Sequence, residues 1–212
     1  MRGEPSCPKC GGRVRAPGLF SDSWQCDAHG AVQPLQPVIP PSVEALGVVT
    51  HRAQVPVWMP WPLPVGWLFT GVAYAGDDRS GGRATVVACS GPAPLGGVGE
   101  LLLVAEEPGV GLGARYAGID GPDPGPRMCT GNRPQSKVLA AGRPTPLWHV
   151  SDAPEDRAVF AGEACGLWLW AVVWPEKSGL LMYDELVLTD LREAGSEVDL
   201  LPCGALSPRL LE

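Results

Sequence analysis

The longest apolar run of the chain is Leu167-Trp168-Leu169-Trp170-Ala171-Val172-Val173-Trp174. Side chains of a β-strand alternate between the two faces of its sheet, so the tryptophans share one face with Val172 and the leucines, Ala171 and Val173 share the other. Because both faces are apolar, the run predicts a central strand that is covered on both sides, by residues 42–53 and 58–67. The alternative is that one face meets a protein partner or an apolar ligand, since aromatic residues are enriched at interface centres.

Short β-type segments separated by turn residues extend in both directions from this run. We predict further strands at residues 66–75, 83–90, 100–106, 137–140, 148–150 and 158–163, a hairpin to residues 180–182, and a last strand at 197–201. Ser42 is predicted to cap a helix that ends near Ala53, and Asp184 to cap a second helix that ends at residue 193. The chain is therefore predicted to be an α+β protein, with a small N-terminal zinc ribbon followed by a mainly antiparallel β domain with one or two helices.

Two short motifs near the N-terminus have the spacing of metal ligands, Cys7-Pro8-Lys9-Cys10-Gly11-Gly12 and Cys26-Asp27-Ala28-His29-Gly30. The fifteen residues between Cys10 and Cys26 match the separation of the two ligand pairs in a zinc ribbon. Three thiolates and an imidazole leave no open position for water, which is typical of a structural metal site. We predict that one structural zinc ion per chain is held by Cys7, Cys10, Cys26 and His29, although aspartate or water could take the place of His29.

Changes in composition divide the chain into three parts. Residues 1–32 contain the ribbon-like module, and residues 33–64 are rich in proline and include the predicted short helix. Proline fixes its own φ and biases the preceding residue towards extended backbone, so the second part is predicted to be a connector. Residues 65–212 then form the α+β domain.

The charge of the chain disfavours nucleic acid as a partner. The formal net charge is −7 with a sequence pI of about 5.0, whereas proteins that bind nucleic acid usually present a basic surface. Residues 1–40 hold four basic and three acidic side chains, a balance of +1. Zinc-bound thiolates would bring the module close to neutral.

The sequence is typical of a soluble cytoplasmic protein. No apolar leader precedes the first cysteine pair, and no apolar run approaches the ~20 residues of a membrane helix. Thiols stay reduced in the cytoplasm, so the seven cysteines are interpreted as metal ligands and core residues. The single cysteines Cys89, Cys129, Cys165 and Cys203 are predicted to be buried in the core.

Several weaker signals are interpreted as structural. Gly109-Val110-Gly111-Leu112-Gly113-Ala114 matches a dinucleotide-binding pattern, but no long helix follows it, so a flexible loop is predicted. His51 and His149 have no nucleophile near them in the sequence. The acidic pairs Asp77-Asp78 and Glu106-Glu107 are predicted to be solvated turn residues at strand ends.

Three stretches of the chain are distinctive, namely residues 7–12, Pro56-Val57-Trp58-Met59-Pro60-Trp61-Pro62-Leu63-Pro64-Val65-Gly66-Trp67, and Gly162-Glu163-Ala164 with the tryptophan strand. Through these stretches, nearly the whole chain resembles an uncharacterised actinobacterial family. The resemblance implies an N-terminal zinc-ribbon-like segment and a domain of unknown function. It implies no activity.

The sequence leaves three functions open. The first is a zinc-stabilised interaction or regulatory protein without catalytic activity, with an unidentified protein as partner. The second is a domain that binds a small ligand or catalyses a reaction, with the ribbon as an accessory. The third is binding of nucleic acid through the ribbon, which the acidic balance makes the least favoured.

Overall fold

A small antiparallel sheet forms the N-terminal module. The computed structural model of the protein describes residues 3–19, 21–125 and 133–211. The small sheet consists of β1 (Val14–Arg15), β2 (Gln25–Cys26) and β3 (Gly30–Ala31), in that order. The N-terminal zinc-ribbon architecture expected from the sequence is thus confirmed as a fold, with β3 as a strand that the sequence had not indicated.

A nine-stranded, curled sheet forms the larger part of the molecule. Its strands are β4 (Trp58–Pro60), β5 (Leu68–Asp77), β6 (Gly81–Pro92), β7 (Val98–Glu106), β8 (Ser136–Ala140), β9 (Arg143–His149), β10 (Ala158–Ala164), β11 (Leu167–Trp174) and β12 (Val187–Asp190). Their order is β4-β12-β8-β9-β10-β11-β7-β6-β5. The pair β8–β12 is parallel and the other neighbours are antiparallel. The predicted mainly antiparallel α+β class is therefore confirmed.

Strand β11 is central in this sheet and buried on both faces as predicted, but the two segments predicted to cover its two sides both lie on one face. Leu169, Ala171 and Val173 belong to one apolar cluster, which also contains residues of the 42–53 and 58–67 segments. Trp170 and Trp174 belong to a second cluster on the opposite face. That face is covered by α2 (Leu112–Ala117), a helix that the sequence had not indicated. Both faces are thus filled by the protein's own chain.

Helix α1 (Val43–Arg52) confirms the predicted helix within the connector. Ser42 caps it, because its side chain accepts a hydrogen bond from the Ala45 amide at 3.0 Å. Leu46 and Val49 are buried against the sheet. The helix ends at Arg52, and residue 53 adopts extended backbone.

Three predictions about the C-terminal third are wrong. Residues 180–182 belong to a 3₁₀ helix (Glu176–Tyr183) and not to a hairpin strand, and residues 197–201 largely belong to another 3₁₀ helix (Ser196–Leu200). The predicted helix at 184–193 is replaced by β12, which pairs with β4 and β8. Asp190 fixes this strand, because its carboxylate accepts the Val57 amide at 3.0 Å. Long-range pairing outweighs the local helical pattern.

The cysteines outside the ribbon differ in their exposure to solvent. Cys89 is buried, as predicted. Cys165 and Cys203 are exposed, so the prediction is wrong for them. Cys165 has φ +57° and with Gly166 forms the tight turn between β10 and β11, which turns its side chain away from the core. Cys129 lies outside the described residues.

Candidate metal centre

The two cysteine motifs converge on one cluster. The ligand atoms of Cys7, Cys10, Cys26 and His29 all lie within 4.8 Å of one another. The short strand pairing of β1 with β2 brings the two motifs together, since Val14 lies opposite Cys26. Cys7 and Cys26 are buried, while Cys10 and His29 are exposed. All four residues predicted from spacing are therefore assembled in one place.

The distances within the cluster fit a tetrahedral metal ion. Metal–sulfur bonds of about 2.3 Å and metal–nitrogen bonds of about 2.0–2.1 Å place two sulfurs about 3.8 Å apart, and a sulfur and a nitrogen about 3.5–3.6 Å apart. The Sγ atoms of Cys10 and Cys26 are 3.9 Å apart. The Nδ1 atom of His29 is 3.6 Å from the Sγ atoms of both Cys7 and Cys26. The thiols are free, so a disulfide does not account for these approaches.

Backbone amides point towards the buried sulfurs, as expected at a metal-binding turn. Burial raises the pKa of Cys7 to about 11, although the Lys9 and Cys10 amides act against this rise. Burial also acts to raise the pKa of Cys26, but hydrogen bonds from His29 and the Ala28 amide outweigh it and lower the pKa to about 6. Amide hydrogen bonds of this kind stabilise thiolates, which are the form that binds a metal.

The ribbon packs against the larger sheet at the turn between β5 and β6. Trp24 Nε1 donates to Asp77 Oδ2 at 3.0 Å, and Arg79 Nη1 donates to the Asp22 carbonyl at 3.1 Å. Ser80 Oγ donates to Gln33 Oε1 at 3.0 Å. Burial acts to raise the pKa of Asp77, but hydrogen bonds from Ser80, Arg79 and Trp24 lower it below its usual value. The turn residue Asp77 therefore connects the two sheets.

A second contact joins the ribbon to α2. A carbon added at Gly11 would lie 2.9 Å from the guanidinium of Arg115, and one added at Gly111 would lie 2.8 Å from Lys9 Cγ. A methyl group at either position would require the Arg115 or Lys9 side chain to move. The metal-binding turn and the N-terminus of α2 are thus in direct van der Waals contact.

The buried side chain of Glu106 accepts hydrogen bonds from the first amides of α2. Glu106 Oε2 accepts the Leu112 amide at 2.7 Å, and Oε1 accepts the Gly113 amide at 3.2 Å and the indole N–H of Trp170 at 2.7 Å. The side chain is fully buried. Burial raises the pKa of Glu106 to about 8, although these three donors act in the opposite direction and Asp123 adds to the rise. The internal carboxyl group of Glu106 thus accepts hydrogen bonds from the amides at the start of this helix.

This geometry corrects two sequence interpretations. Glu106 is a buried structural group and not a solvated turn residue, whereas Glu107 is partly exposed and pairs with Arg83 at 2.7 Å. The pattern at residues 109–114 forms the start of α2 and not a flexible loop, and Glu106 occupies the amides that a phosphate would use. The spacing of the glycines indicated a turn, but nothing in the sequence indicated which side chain would accept hydrogen bonds from its amides.

The two histidines outside the cluster lie on other elements of the fold. His51 lies in the last turn of α1, and His149 in β9 packs edge-on against Phe160 with ring centroids 5.4 Å apart.

In the part of the chain that the structure describes, no helix has both the length and the apolar character needed to span a membrane.

Comparison with known proteins identifies the family. The chain matches the family described as a family of unknown function (DUF6758) over residues 1–210. No curated protein and no solved structure gives a significant match. The match extends over almost the entire length, and it confirms the resemblance to an uncharacterised family. The chain belongs to the family of unknown function DUF6758.

Proposed function

We propose that this protein is a zinc-stabilised interaction or regulatory protein of the cytoplasm, which acts by binding a protein partner and not by catalysis. The observation that supports it is the set of four potential ligands, Cys7, Cys10, Cys26 and His29, whose ligand atoms lie within 4.8 Å of one another, with three of the separations at tetrahedral values. Three sulfurs and one imidazole favour zinc over magnesium or calcium, which prefer oxygen ligands. Free thiols in the described chain suit a reducing compartment.

The packing of residues 109–118 counts against a ligand pocket in this region. Leu112, Ala114 and Ala117 are almost completely buried under the second apolar cluster. The dinucleotide-like pattern therefore contributes core residues and an occupied helix start, not a phosphate site. A cavity of about 290 Å³ lies between the ribbon and residues 107–110, at the lower end of the range of about 300–1,000 Å³ for ligand sites.

A capture experiment tests the proposal. Tagged wild-type protein, Cys26→Ser and Cys165→Ser would be used to recover partners from native lysate, with and without nuclease. We expect about one zinc per wild-type chain and a partner that binds wild type and Cys165→Ser, resists nuclease, and is lost with Cys26→Ser. Cys165 is exposed and lies outside the cluster, so it controls for the loss of a thiol.

Other outcomes would contradict the proposal in distinct ways. Nuclease-sensitive recovery would favour nucleic acid as the partner. Metal-free wild-type protein would contradict the zinc assignment. Turnover of a substrate at a rate that depends on an acidic or histidine side chain would contradict the non-catalytic role.

A further inference from the structure

The metal-binding turn and α2 pack against each other from both sides. Arg115 of α2 lies over Gly11 of the ribbon, and Lys9 of the ribbon lies over Gly111 at the start of α2. Each side chain covers a glycine of the other segment, so neither segment can move away alone without losing both contacts. Lys9 and Gly11 are neighbours of the ligand Cys10 in the sequence.

Charge strengthens this contact when the metal is bound. A divalent ion with three thiolates and a neutral imidazole carries a net charge of −1. Arg115 places its guanidinium beside the turn that holds this charge. The loaded cluster and the helix therefore attract each other, in addition to their packing.

Helix α2 is too short to be stable by itself. It has six residues, whereas isolated helices shorter than about 12–15 residues are marginal in water. Its support comes from the apolar cluster, from Glu106 beneath its first amides, and from the ribbon above it. Removing one support should make the helix open more often, even where its apolar side chains keep it near the sheet.

We propose that zinc occupancy of the ribbon and the order of residues 107–118 are coupled, so that loss of the ion loosens α2 and its contact with Glu106. Coupling between two sites is reciprocal, so an ordered α2 must equally slow the release of zinc. Residues 107–118 then form the part of the larger domain that responds to the metal. This coupling rests on the proposed zinc site, but it does not depend on the proposed partner.

Hydrogen exchange of the full-length protein tests the first half of the proposal. Amides of residues 107–118 would be compared in zinc-loaded and chelated protein. We expect at least about five-fold faster exchange after chelation, the lower end of typical couplings. Helix α1 packs on the opposite face of the sheet and serves as the internal control. Unchanged exchange at 107–118 would overturn the proposal, even if the ribbon itself unfolds.

Zinc transfer to a chelator tests the reciprocal half. Arg115→Gln should release zinc at least about five-fold faster than wild type, and Arg115→Lys, which keeps the charge, should fall between them. Lys9→Ala probes the same contact from the ribbon side, and Arg143→Gln in β9 is the matched surface control. Equal release rates from wild type, Arg115→Gln and Lys9→Ala would overturn the coupling. Zinc release is measured on the folded protein alone, without any partner. A failed capture experiment would therefore not affect this result.

Discussion

The ribbon and the nine-stranded sheet use different sources of stability. In the described part of the ribbon, residues 3–19 and 21–32, the buried side chains are Pro8 and two cysteines that could bind a metal ion, Cys7 and Cys26. The larger sheet instead buries two extensive apolar clusters, with Trp58, Trp170 and Trp174 among the largest buried side chains. A module with so little apolar surface to bury must obtain its free energy of folding from elsewhere.

Because of this difference, different changes should destabilise the two regions. Structural zinc supplies folding free energy directly, so the ribbon should depend on four ligand atoms. The sheet depends on close packing, so it should be sensitive to added volume and insensitive to a chelator. The two contacts between them, at Asp77 and at α2, are where this separation should break down.

Loss of a metal ligand should have the largest effect. With Cys26→Ser, we expect zinc content to fall from about one per chain to none and amide protection in the ribbon to disappear. Zinc binding contributes on the order of 10–16 kcal/mol to small structural modules. Metal analysis measures the zinc content and hydrogen exchange measures the amide protection of the ribbon, with Cys165→Ser as the control for both. A protected ribbon without metal would show that packing alone suffices.

An added methyl group at Gly113 should strongly disturb the packing of α2 on the sheet. The new carbon would lie 2.2 Å from the indole of Trp170, in the centre of the second cluster. We expect Gly113→Ala to lower the free energy of unfolding by about 3 kcal/mol or more, measured by denaturant titration. At Gly195 nothing lies within 4 Å of an added carbon, so Gly195→Ala should leave stability nearly unchanged.

Ionisation of Glu106 should make the stability of the sheet depend on pH. The pKa of Glu106 is raised by burial from 4.5 to about 8, so between these values the folded chain keeps a proton that the unfolded chain has lost. Rising pH then favours unfolding, and stability that is complete below pH 4.5 is lost as pH rises through about 8. Glu106→Gln cannot ionise and serves as the reference.

The measured quantity is the difference in free energy of unfolding between wild type and Glu106→Gln. We expect it to fall by about 2–4 kcal/mol between pH 5 and pH 8.5. Titration of the metal ligands affects both proteins equally and cancels in the difference. A constant difference across this range would contradict the raised pKa, and a difference that falls only as pH drops below about 4.5 would mean that the amides and the indole outweigh burial.

The sequence was sufficient where the determinants are local. The four residues that could hold a metal ion lie in two short motifs, and a two-residue alternation identified β11 and its two apolar faces. The N-cap residue Ser42 and the apolar side of α1 could also be predicted from the sequence. In each case a fixed geometric period relates neighbouring residues to one structure.

The remaining features depend on distant partners. Val187–Asp190 is a strand because β4 and β8 lie on either side of it, and its own four residues do not distinguish strand from helix. Glu106 is buried because Trp170, 64 residues further along, supplies one of its donors. Next to it, Glu107 has the same chemistry but pairs with Arg83 at the surface. Composition and spacing cannot separate two adjacent glutamates.

The smallest expected effect is a gain at Gly47, in the middle of α1. Gly47 is exposed, and nothing lies within 4 Å of an added carbon. Alanine loses less backbone entropy than glycine when a helix forms, so Gly47→Ala should raise the free energy of unfolding by about 0.5–1 kcal/mol. Thermal unfolding should show the gain equally in zinc-loaded and chelated protein, because α1 packs on the face of the sheet opposite α2. A gain that disappears on chelation would mean that the metal supports both faces, and that the ribbon and the sheet are less independent than their packing indicates.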